Sequence, residues 1–140
     1  YQQAFHQFEI TKVAAMTDAE LEALTQNARI VRNRHKIYAV RSNARVALRA
    51  ASQHGSLQAY LWNLAGGAPV QNHWQIASDV PADTATSRAM SAQLKRDGFA
   101  FVGPTTCYAF MQAAGMVNDH VVGCFRYEEC AALGSKSNRE

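Results

Sequence analysis

The sequence predicts an all-α fold, and three observations support this prediction. Apolar residues recur at the three- and four-residue spacing of helices through most of the chain. Alternating strand patterns are scarce, and residues that start or stop helices bound the periodic stretches. The 140 residues are 48% hydrophobic and 18% charged, which is typical of a globular protein. At this length we expect one domain around a single core.

Capping residues define the first predicted helices. Thr17 followed by Glu20 is a capping box that opens a short helix. A longer helix begins after Arg34 and ends at about Gly55. Its apolar residues at helical spacing predict a buried stripe on one side. The stripe consists of Ile37, Val40, Ala44, Ala47, Leu48 and Ala51.

The middle of the chain alternates between helix and loop. Apolar spacing predicts a helix over residues 57–64, which Gly66 and Gly67 bring to an end. Residues 69–86 are rich in turn-forming residues and have no periodicity. We expect a loop there, with a short strand near residues 73–76.

A helical hairpin predicted at about residues 87–115 carries the first candidate binding site. Its first helix closes at Gly98, and Pro104 can occupy the first position of the second. A glycine-bounded turn leaves unpaired backbone N–H groups at the start of the second helix, and these can hold a phosphate oxygen. An ordinary hairpin with capping glycines explains the same pattern. The candidate DNA-binding residues are Gly98, Gly103, Thr105 and Thr106.

His120 and Cys124 form a candidate metal-binding pair. We expect Asn118 to cap a final helical segment that includes both residues. In a helix, a spacing of four places the imidazole and the thiol on one face, where both could bind one Zn²⁺. Structural zinc sites have four ligands, and Cys107, Cys130 and the other histidines supply no second pair at chelating spacing. A buried histidine beside a buried free cysteine is the alternative interpretation.

Five stretches of the sequence share one known pattern. They are 98–112 (GFAFVGPTTCYAFMQ), 115–124 (GMVNDHVVGC), 5–8 (FHQF), 13–16 (VAAM) and 30–37 (IVRNRHKI). Together they resemble the 3-methyladenine DNA glycosylase I family, within the helix-hairpin-helix DNA glycosylase superfamily. Phe101 stands where the superfamily usually has its first hairpin glycine. The resemblance covers residues 1 to about 125, which we interpret as a helical glycosylase domain, and leaves 126–140 as a polar tail that frays from Ser135 onward.

The resemblance implies a DNA-repair enzyme. Such an enzyme flips 3-methyladenine out of alkylated double-stranded DNA and hydrolyses its N-glycosidic bond, as a step of base excision repair. Many superfamily members use an aspartate in a Val-Asp-x-His sequence, but here the amide Asn118 holds that place. We interpret Asp119 as a helix-start residue. Residues 104–106 contain no lysine where a lyase would need one, so we expect a monofunctional enzyme.

The resemblance also implies a structural zinc. In the family, a Cys and a His near the N-terminus bind the metal together with a later His and Cys, which His120 and Cys124 match. The first pair, a pocket glutamate and stacking aromatic residues would precede Tyr1, so we expect an N-terminally truncated chain. Its catalytic residues are therefore unknown, and we expect it to hold zinc weakly and to be inactive alone.

Two other functions fit parts of the sequence. One is a non-catalytic DNA-binding module that uses the hairpin alone, and the other is a zinc-dependent structural or interaction domain. The net charge of +3 is too mild to identify a DNA-binding protein. Asn43 is interpreted as a buried hydrogen-bonding residue. Four arginines share one side of the long helix and could contact DNA phosphates or form a solvated face: Arg34, Arg41, Arg45 and Arg49.

The sequence has neither an apolar run of membrane length nor a signal peptide. An odd number of cysteines, three, favours buried thiols or metal ligands over a disulfide framework. We therefore expect a cytoplasmic location, no contact with membranes and a monomer whose partners are alkylated duplex DNA and the 3-methyladenine base.

Overall fold

The structure is a computed structural model that describes residues 1–137, with side chains to residue 134. It is mostly helical, as predicted. A two-stranded parallel sheet pairs β1 (Val70–Gln71) with β2 (Val117–Asn118). No helix in this described range is long and apolar enough to cross a membrane. The helices are a 3-10 helix at Gln3–Phe8, α1 (Ile10–Ala15), α2 (Asp18–Thr25), α3 (Arg34–His54), α4 (Leu57–Leu64), a 3-10 helix at Ala77–Asp79, α5 (Ala85–Arg96), α6 (Pro104–Ala113) and α7 (Arg126–Ser137).

Contacts within the chain divide it into two compact units. The first contains Tyr1–Tyr60 and Leu94–Phe101, and the second contains Leu61–Gln93 and the residues from Val102 onward. Two of the boundaries fall inside helices, α4 and α5. No proline- or glycine-rich linker marks such a boundary, which explains why the sequence indicated a single domain.

The first unit is built around α3, against which α1 and α2 pack. The predicted capping box is present: the Thr17 side chain accepts from the Glu20 amide, and Glu20 accepts from the Thr17 amide at 2.7 Å. Asn33 caps α3 by accepting from the Lys36 amide at 3.0 Å. The core consists of Phe5, Val13, Ala14, Met16, Leu21, Ile30, Ile37 and Ala44.

The predicted stripe on α3 is only partly right. Ile37, Ala44 and Ala47 are buried, but Leu48 is 38% exposed. Val40 and Ala51 are half-buried, whereas Ala39, Val46 and Ala50 are buried without having been predicted. The helix packs on more than one side. Val46 lies close to Gly98, since a Cβ on that glycine would be 3.5 Å from Val46 Cγ2. A prediction that assumes one buried side of α3 does not include the residues that pack on its second side.

The second unit holds the sheet, α6 and α7. The strand predicted near residues 73–76 lies earlier in the chain, where β1 begins three residues before the predicted start. Its position is set by backbone partners that are distant in the sequence. The Val70 amide donates to the Met116 carbonyl at 2.9 Å, and the Asn72 amide donates to the Asn118 carbonyl at 3.2 Å. No local pattern encodes a pairing over such a separation.

The C-terminal region differs from the predicted polar tail. Residues 126–137 form α7, and its Tyr127 side chain is buried, with 7% exposed. Burial of this aromatic ring offsets the entropy of ordering a polar segment. Ser135 lies within α7, and the rest of the predicted frayed end, residues 138–140, lies outside the described residues.

Candidate functional site

The predicted DNA-binding turn begins in a loop, residues 97–101, that the first unit holds in place. Asn43 on α3 clamps Ala100: its Nδ2 donates to the Ala100 carbonyl at 3.0 Å, and its Oδ1 accepts from the Ala100 amide at 2.9 Å. Arg49 donates to the Asp97 carbonyl at 3.1 Å, and the Tyr60 hydroxyl donates to the Asp97 carboxylate. These contacts fix the backbone at two points.

Phe101 adopts a left-handed backbone conformation, which glycine adopts more readily than other residues. Its φ is 60°, in the left-handed region, and Gly98 in the same loop has a φ of 102°. A side chain in this region costs about 1–2 kcal/mol. The Phe101 ring is 53% exposed and lies 5.9 Å from the Lys36 ammonium.

The end of the turn and the start of α6 lie in the second unit. The Val102 carbonyl accepts from the Ser91 hydroxyl at 2.6 Å and from the Cys107 thiol at 3.5 Å. Gly103 precedes Pro104 at the helix start, and no side chain in the described range caps the helix. The amides of Thr105 and Thr106 therefore lack partners within the helix.

These helix-start residues are accessible. A Cβ on Gly103 would meet nothing within 4 Å, and the Thr105 and Thr106 side chains are exposed. The predicted residues thus have the conformation and the exposure that a phosphate contact requires, and their binding role stays a prediction.

The predicted helix through His120 and Cys124 is wrong. Asn118 belongs to β2, residues 119–125 form turns, and α7 begins only at Arg126. The turn nevertheless places the Cys124 Sγ 3.7 Å from the His120 Nδ1. Two ligands of one tetrahedral Zn²⁺, at about 2.3 Å for sulfur and 2.0 Å for nitrogen, lie roughly 3.5 Å apart. The pair fits a shared zinc, although the described residues contain no group of three or more possible ligands.

Asn118 is buried and its side chain is fully used in structure. Its Nδ2 donates to the Gln71 Oε1 at 2.9 Å and to the Tyr127 carbonyl at 3.0 Å. Its Oδ1 accepts from the His120 amide at 3.3 Å. The residue does not cap a helix. It joins β1, β2 and α7 and supports the turn that carries His120.

Asp119 is the acceptor at the centre of a polar cluster that the sequence did not indicate. Its carboxylate accepts from Asn72 Nδ2 at 2.7 Å, Trp74 Nε1 at 2.8 Å and Gln112 Nε2 at 2.8 Å. These donors come from a loop and from α6. The interpretation of Asp119 as a helix-start residue is therefore wrong, because the residue follows a strand and bonds to side chains far away in the sequence.

The cluster keeps the Asp119 carboxyl ionised. Burial by itself would raise its pKa, but the hydroxyl of Tyr108 and the donors Trp74, Gln112 and Asn72 outweigh burial and lower the pKa below the usual range. The Tyr108 hydroxyl is buried without a well-formed hydrogen bond in the described structure, so its contact with Asp119 is weak. Burial and the nearby carboxylate raise the pKa of Tyr108.

A cavity of about 710 Å³ lies beside this cluster within the second unit. Trp62 and Leu133 give it apolar walls. Amide, carboxylate and imidazole groups on its wall could hydrogen-bond a planar heterocycle. Its polar lining comes from Gln71, Gln112, Asn118, Asp119 and His120.

Two of the four arginines on α3 are held by contacts of their own. Arg34 forms an ion pair with Glu22, and its side chain remains 59% exposed. Arg49 donates to the Asp97 carbonyl, as described above. Both side chains therefore have partners within the first unit.

The other two arginines are anchored to backbone carbonyls. Arg41 donates to the Met16 carbonyl at 2.9 Å and to the Asp18 carboxylate at 2.6 Å. Arg45 donates through Nε to the Ala14 carbonyl at 2.9 Å. Both side chains therefore tie α3 to the segment that includes α1 and the start of α2.

Comparison with models of protein families matches residues 1–127 to the family described as methyladenine glycosylase. The match covers most of the chain. This chain belongs to the methyladenine glycosylase family. The family predicted from the sequence is thereby confirmed. A relative from Escherichia coli (strain K12), DNA-3-methyladenine glycosylase 1, is 44% identical over 127 residues, which are 91% of this chain and 68% of the relative.

Solved structures of glycosylases in this family share the fold. A crystal structure of 3-methyladenine DNA glycosylase I is 44% identical, with a TM-score of 0.82, and the similarity covers 89% of this chain and 69% of the other. A structure of the Staphylococcus aureus enzyme, concerned with its recognition of 3-methyladenine, is 34% identical with a TM-score of 0.86 over 91% of this chain and 68% of the other. The all-α prediction is confirmed.

Proposed function

We propose that this glycosylase-family chain releases 3-methyladenine from alkylated double-stranded DNA, as a step of base excision repair. The observation that carries the proposal is the family match over residues 1–127. The Escherichia coli relative is named for this activity, and the Staphylococcus aureus enzyme recognises 3-methyladenine. The chain is accordingly a hydrolase that acts on an N-glycosyl bond.

The reaction needs little acid or base catalysis from this chain. Methylation at N3 makes the adenine cationic, so the base leaves as a neutral molecule with the electron pair of the broken C–N bond. Water adds to the sugar carbon and loses a proton, which produces an abasic site. The buried amide of Asn118 and the lysine-free segment 104–106 agree with a monofunctional hydrolysis.

We assign base binding to the cavity beside Asp119. A flipped base needs stacking and a few directed hydrogen bonds, and Trp62 and Gln112 on the cavity wall can supply them. The resemblance implies that a glutamate and further aromatic residues also contribute to the base pocket. The chain spans 68% of the length of the Escherichia coli relative. We therefore expect the chain alone to bind the base poorly.

We assign DNA binding to the start of α6. The free amides of Thr105 and Thr106 and the positive end of the helix dipole suit a phosphate oxygen. Exposure of Gly103 leaves room for the backbone of a duplex. Contacts of this type position the enzyme without reading sequence, as a repair enzyme requires.

We assign a structural zinc to the turn at residues 119–125. His120 and Cys124 would supply two ligands, and the resemblance implies that a further cysteine and histidine supply the other two. Such a metal cross-links segments of the chain and contributes folding free energy, without taking part in the hydrolysis.

The zinc assignment predicts a residue-specific loss of metal binding. Co²⁺, whose visible absorption reports tetrahedral thiolate ligation, would be titrated into this chain and into a chimera that carries the N-terminal residues of the Escherichia coli relative. We expect weak binding by the chain and at least ~100-fold tighter binding by the chimera, since ligands bind cooperatively. Cys124→Ala should abolish the signal and Cys130→Ala should not. Equal binding by both variants would contradict the assignment.

The glycosylase proposal predicts base release from methylated DNA. This chain and the same chimera would each be incubated with DNA that contains 3-methyladenine, and the free base would be measured by chromatography. We expect release from the chimera and little or none from the chain alone, because part of the pocket is supplied by the added segment. If neither protein released the base but both bound duplex DNA, the non-catalytic DNA-binding module would be the better description.

A further inference from the structure

We propose that a basic groove on the first unit binds a phosphate group of the DNA backbone. The groove has a volume of about 500 Å³ and is lined by α3 and by the loop 97–101. The proposal rests on the proposed function, because it takes DNA as the substrate. The residues that the inference uses are His35, Tyr38, Arg41, Ser42, Arg45 and Phe101.

The charge of the groove suits an anion. His35, Arg41 and Arg45 line it, and no carboxylate does. Two carboxylates contact lining residues without lining the groove themselves. Asp18 pairs with Arg41 at 2.6 Å and is itself 80% exposed, and Glu22 accepts from the Tyr38 hydroxyl at 3.0 Å. A phosphate entering the groove would therefore meet two guanidinium groups, of which only one is partly neutralised.

The two guanidinium groups are held in position before any ligand arrives. Arg45 is anchored through its Nε to the Ala14 carbonyl, which leaves its terminal N–H groups without a partner in the described part of the chain. Arg41 is anchored to the Met16 carbonyl, and its side chain is only 15% exposed. Carbonyl anchors fix the side chains without cancelling their charge, so a phosphate would bind at a small cost in side-chain entropy.

The far wall of the groove is also fixed. Phe101 forms part of it in a left-handed conformation, next to Ala100, whose backbone Asn43 clamps. The Lys36 ammonium lies 5.9 Å from the centre of the Phe101 ring, although Lys36 does not itself line the groove. Strained residues with large exposed side chains cluster at functional sites, and here the strain shapes a wall beside three basic residues. The wall and the cations together make a preformed anion site.

Ser42 allows a direct test because it is exposed and lines the groove. Among residues with described side chains, its hydroxyl bonds only to the Ala39 carbonyl of its own helix, at 3.1 Å. Ser52 is a matched control: it is exposed on the same helix and does not line the groove. Affinity for a short undamaged duplex would be measured by fluorescence anisotropy over a range of salt concentrations, for the unsubstituted chain, Ser42→Glu, Ser42→Lys, Ser52→Glu and Ser52→Lys.

We expect Ser42→Glu to raise the Kd about tenfold and Ser42→Lys to lower it about threefold, because one charge is added beside a bound phosphate. The slope of log Kd against the logarithm of the salt concentration should change by about one in each Ser42 variant, falling for Ser42→Glu and rising for Ser42→Lys. Both Ser52 variants should stay within about twofold of the unsubstituted chain, although they change the net charge equally. Opposite effects of Glu and Lys at one position cannot arise from misfolding.

The outcomes separate this proposal from the proposed function. Thr105→Glu, at the start of α6, serves as a second probe of DNA binding. If the unsubstituted chain binds duplex DNA and Thr105→Glu weakens binding, but the Ser42 and Ser52 variants behave alike, the groove proposal is overturned while the DNA-binding role stands. If the unsubstituted chain binds no duplex even at low salt, the groove proposal and the assignment of DNA binding to the start of α6 are both overturned, whereas the glycosylase proposal is decided by base release from the chimera.

Discussion

Replacing Asp119 with alanine is expected to destabilise the protein by about 3 kcal/mol, because hydrogen bonds to a charged group are worth roughly 1.5–3 kcal/mol each and are not additive. The change removes the acceptor shared by Asn72, Trp74 and Gln112. Three donors in a partly buried cluster would lose their partner at once. Urea unfolding followed by circular dichroism would measure the loss, and the thermal midpoint should fall by about 10 °C.

A matched control separates the cluster from the loss of an acidic residue. Asp79 is exposed in the 3-10 helix of the same unit, so Asp79→Ala should change the free energy of unfolding by no more than about 0.5 kcal/mol. Asp119→Asn should fall between the two, since its carbonyl oxygen can accept but its NH₂ group faces other donors. Equal midpoints for Asp119→Ala and Asp79→Ala would show that the cluster contributes nothing to stability.

Asn43→Ala is expected to cost about 2 kcal/mol, from two hydrogen bonds of about 1 kcal/mol each to the Ala100 backbone. Because these bonds hold the loop 97–101, the loss should appear locally as well as globally. Chymotrypsin cleaves after phenylalanine, and the loop contains Phe99 and Phe101. We expect cleavage there under native conditions to become about 30-fold faster, in line with the change in opening free energy.

Two comparisons test whether the clamp itself is responsible. Asn43→Asp keeps the acceptor for the Ala100 amide but loses the donor, so its effect should be at least that of losing one bond. Asn63 is exposed on α4, and Asn63→Ala should leave both stability and cleavage unchanged. Cleavage at the loop that stays slow in Asn43→Ala would mean that Arg49 and Tyr60 hold the loop without the clamp.

The hydrogen bonds of Asn43 also maintain the backbone conformation of the candidate DNA-binding turn. A phenylalanine in a left-handed conformation favours relaxation to another backbone geometry, and the Asn43 clamp opposes that relaxation at the neighbouring residue. The stability of the loop and its affinity for DNA should therefore change together in Asn43 variants.

Sequence patterns predicted most helices because helix signals are local. A capping box at Thr17, a proline at position 104 and glycines at 55 and 98 act on residues within one or two turns, and each appears where it was predicted. The same locality explains the failures. The segment 119–125 has helical spacing between His120 and Cys124, but the strand before it takes its register from Val70, 47 positions earlier.

In the candidate site, too, the sequence indicated local features but not contacts between distant residues. Resemblance to the family suggested Gly103, Thr105, His120 and Cys124 as site residues from their order in the chain, and these roles stay predictions. Asn43 was interpreted as a hydrogen-bonding residue, and it does form hydrogen bonds, but the sequence could not name its partner 57 positions away or the partners of Asp119 up to 47 positions away. An isolated asparagine or aspartate has no periodicity, and its role depends on which backbone or side chain the fold brings to it.

The sequence by itself determined the helical class, the family and the residue types available for phosphate and metal contact, since these follow from local propensity and from motif order. Only the tertiary structure decided that a non-helical turn brings His120 and Cys124 together, that Asp119 gathers donors from distant segments, and that Arg41 and Arg45 stand fixed beside a groove. The physical reason is that hydrogen bonds and charge clusters are set by distances in space, and those distances exist only once the apolar core has packed.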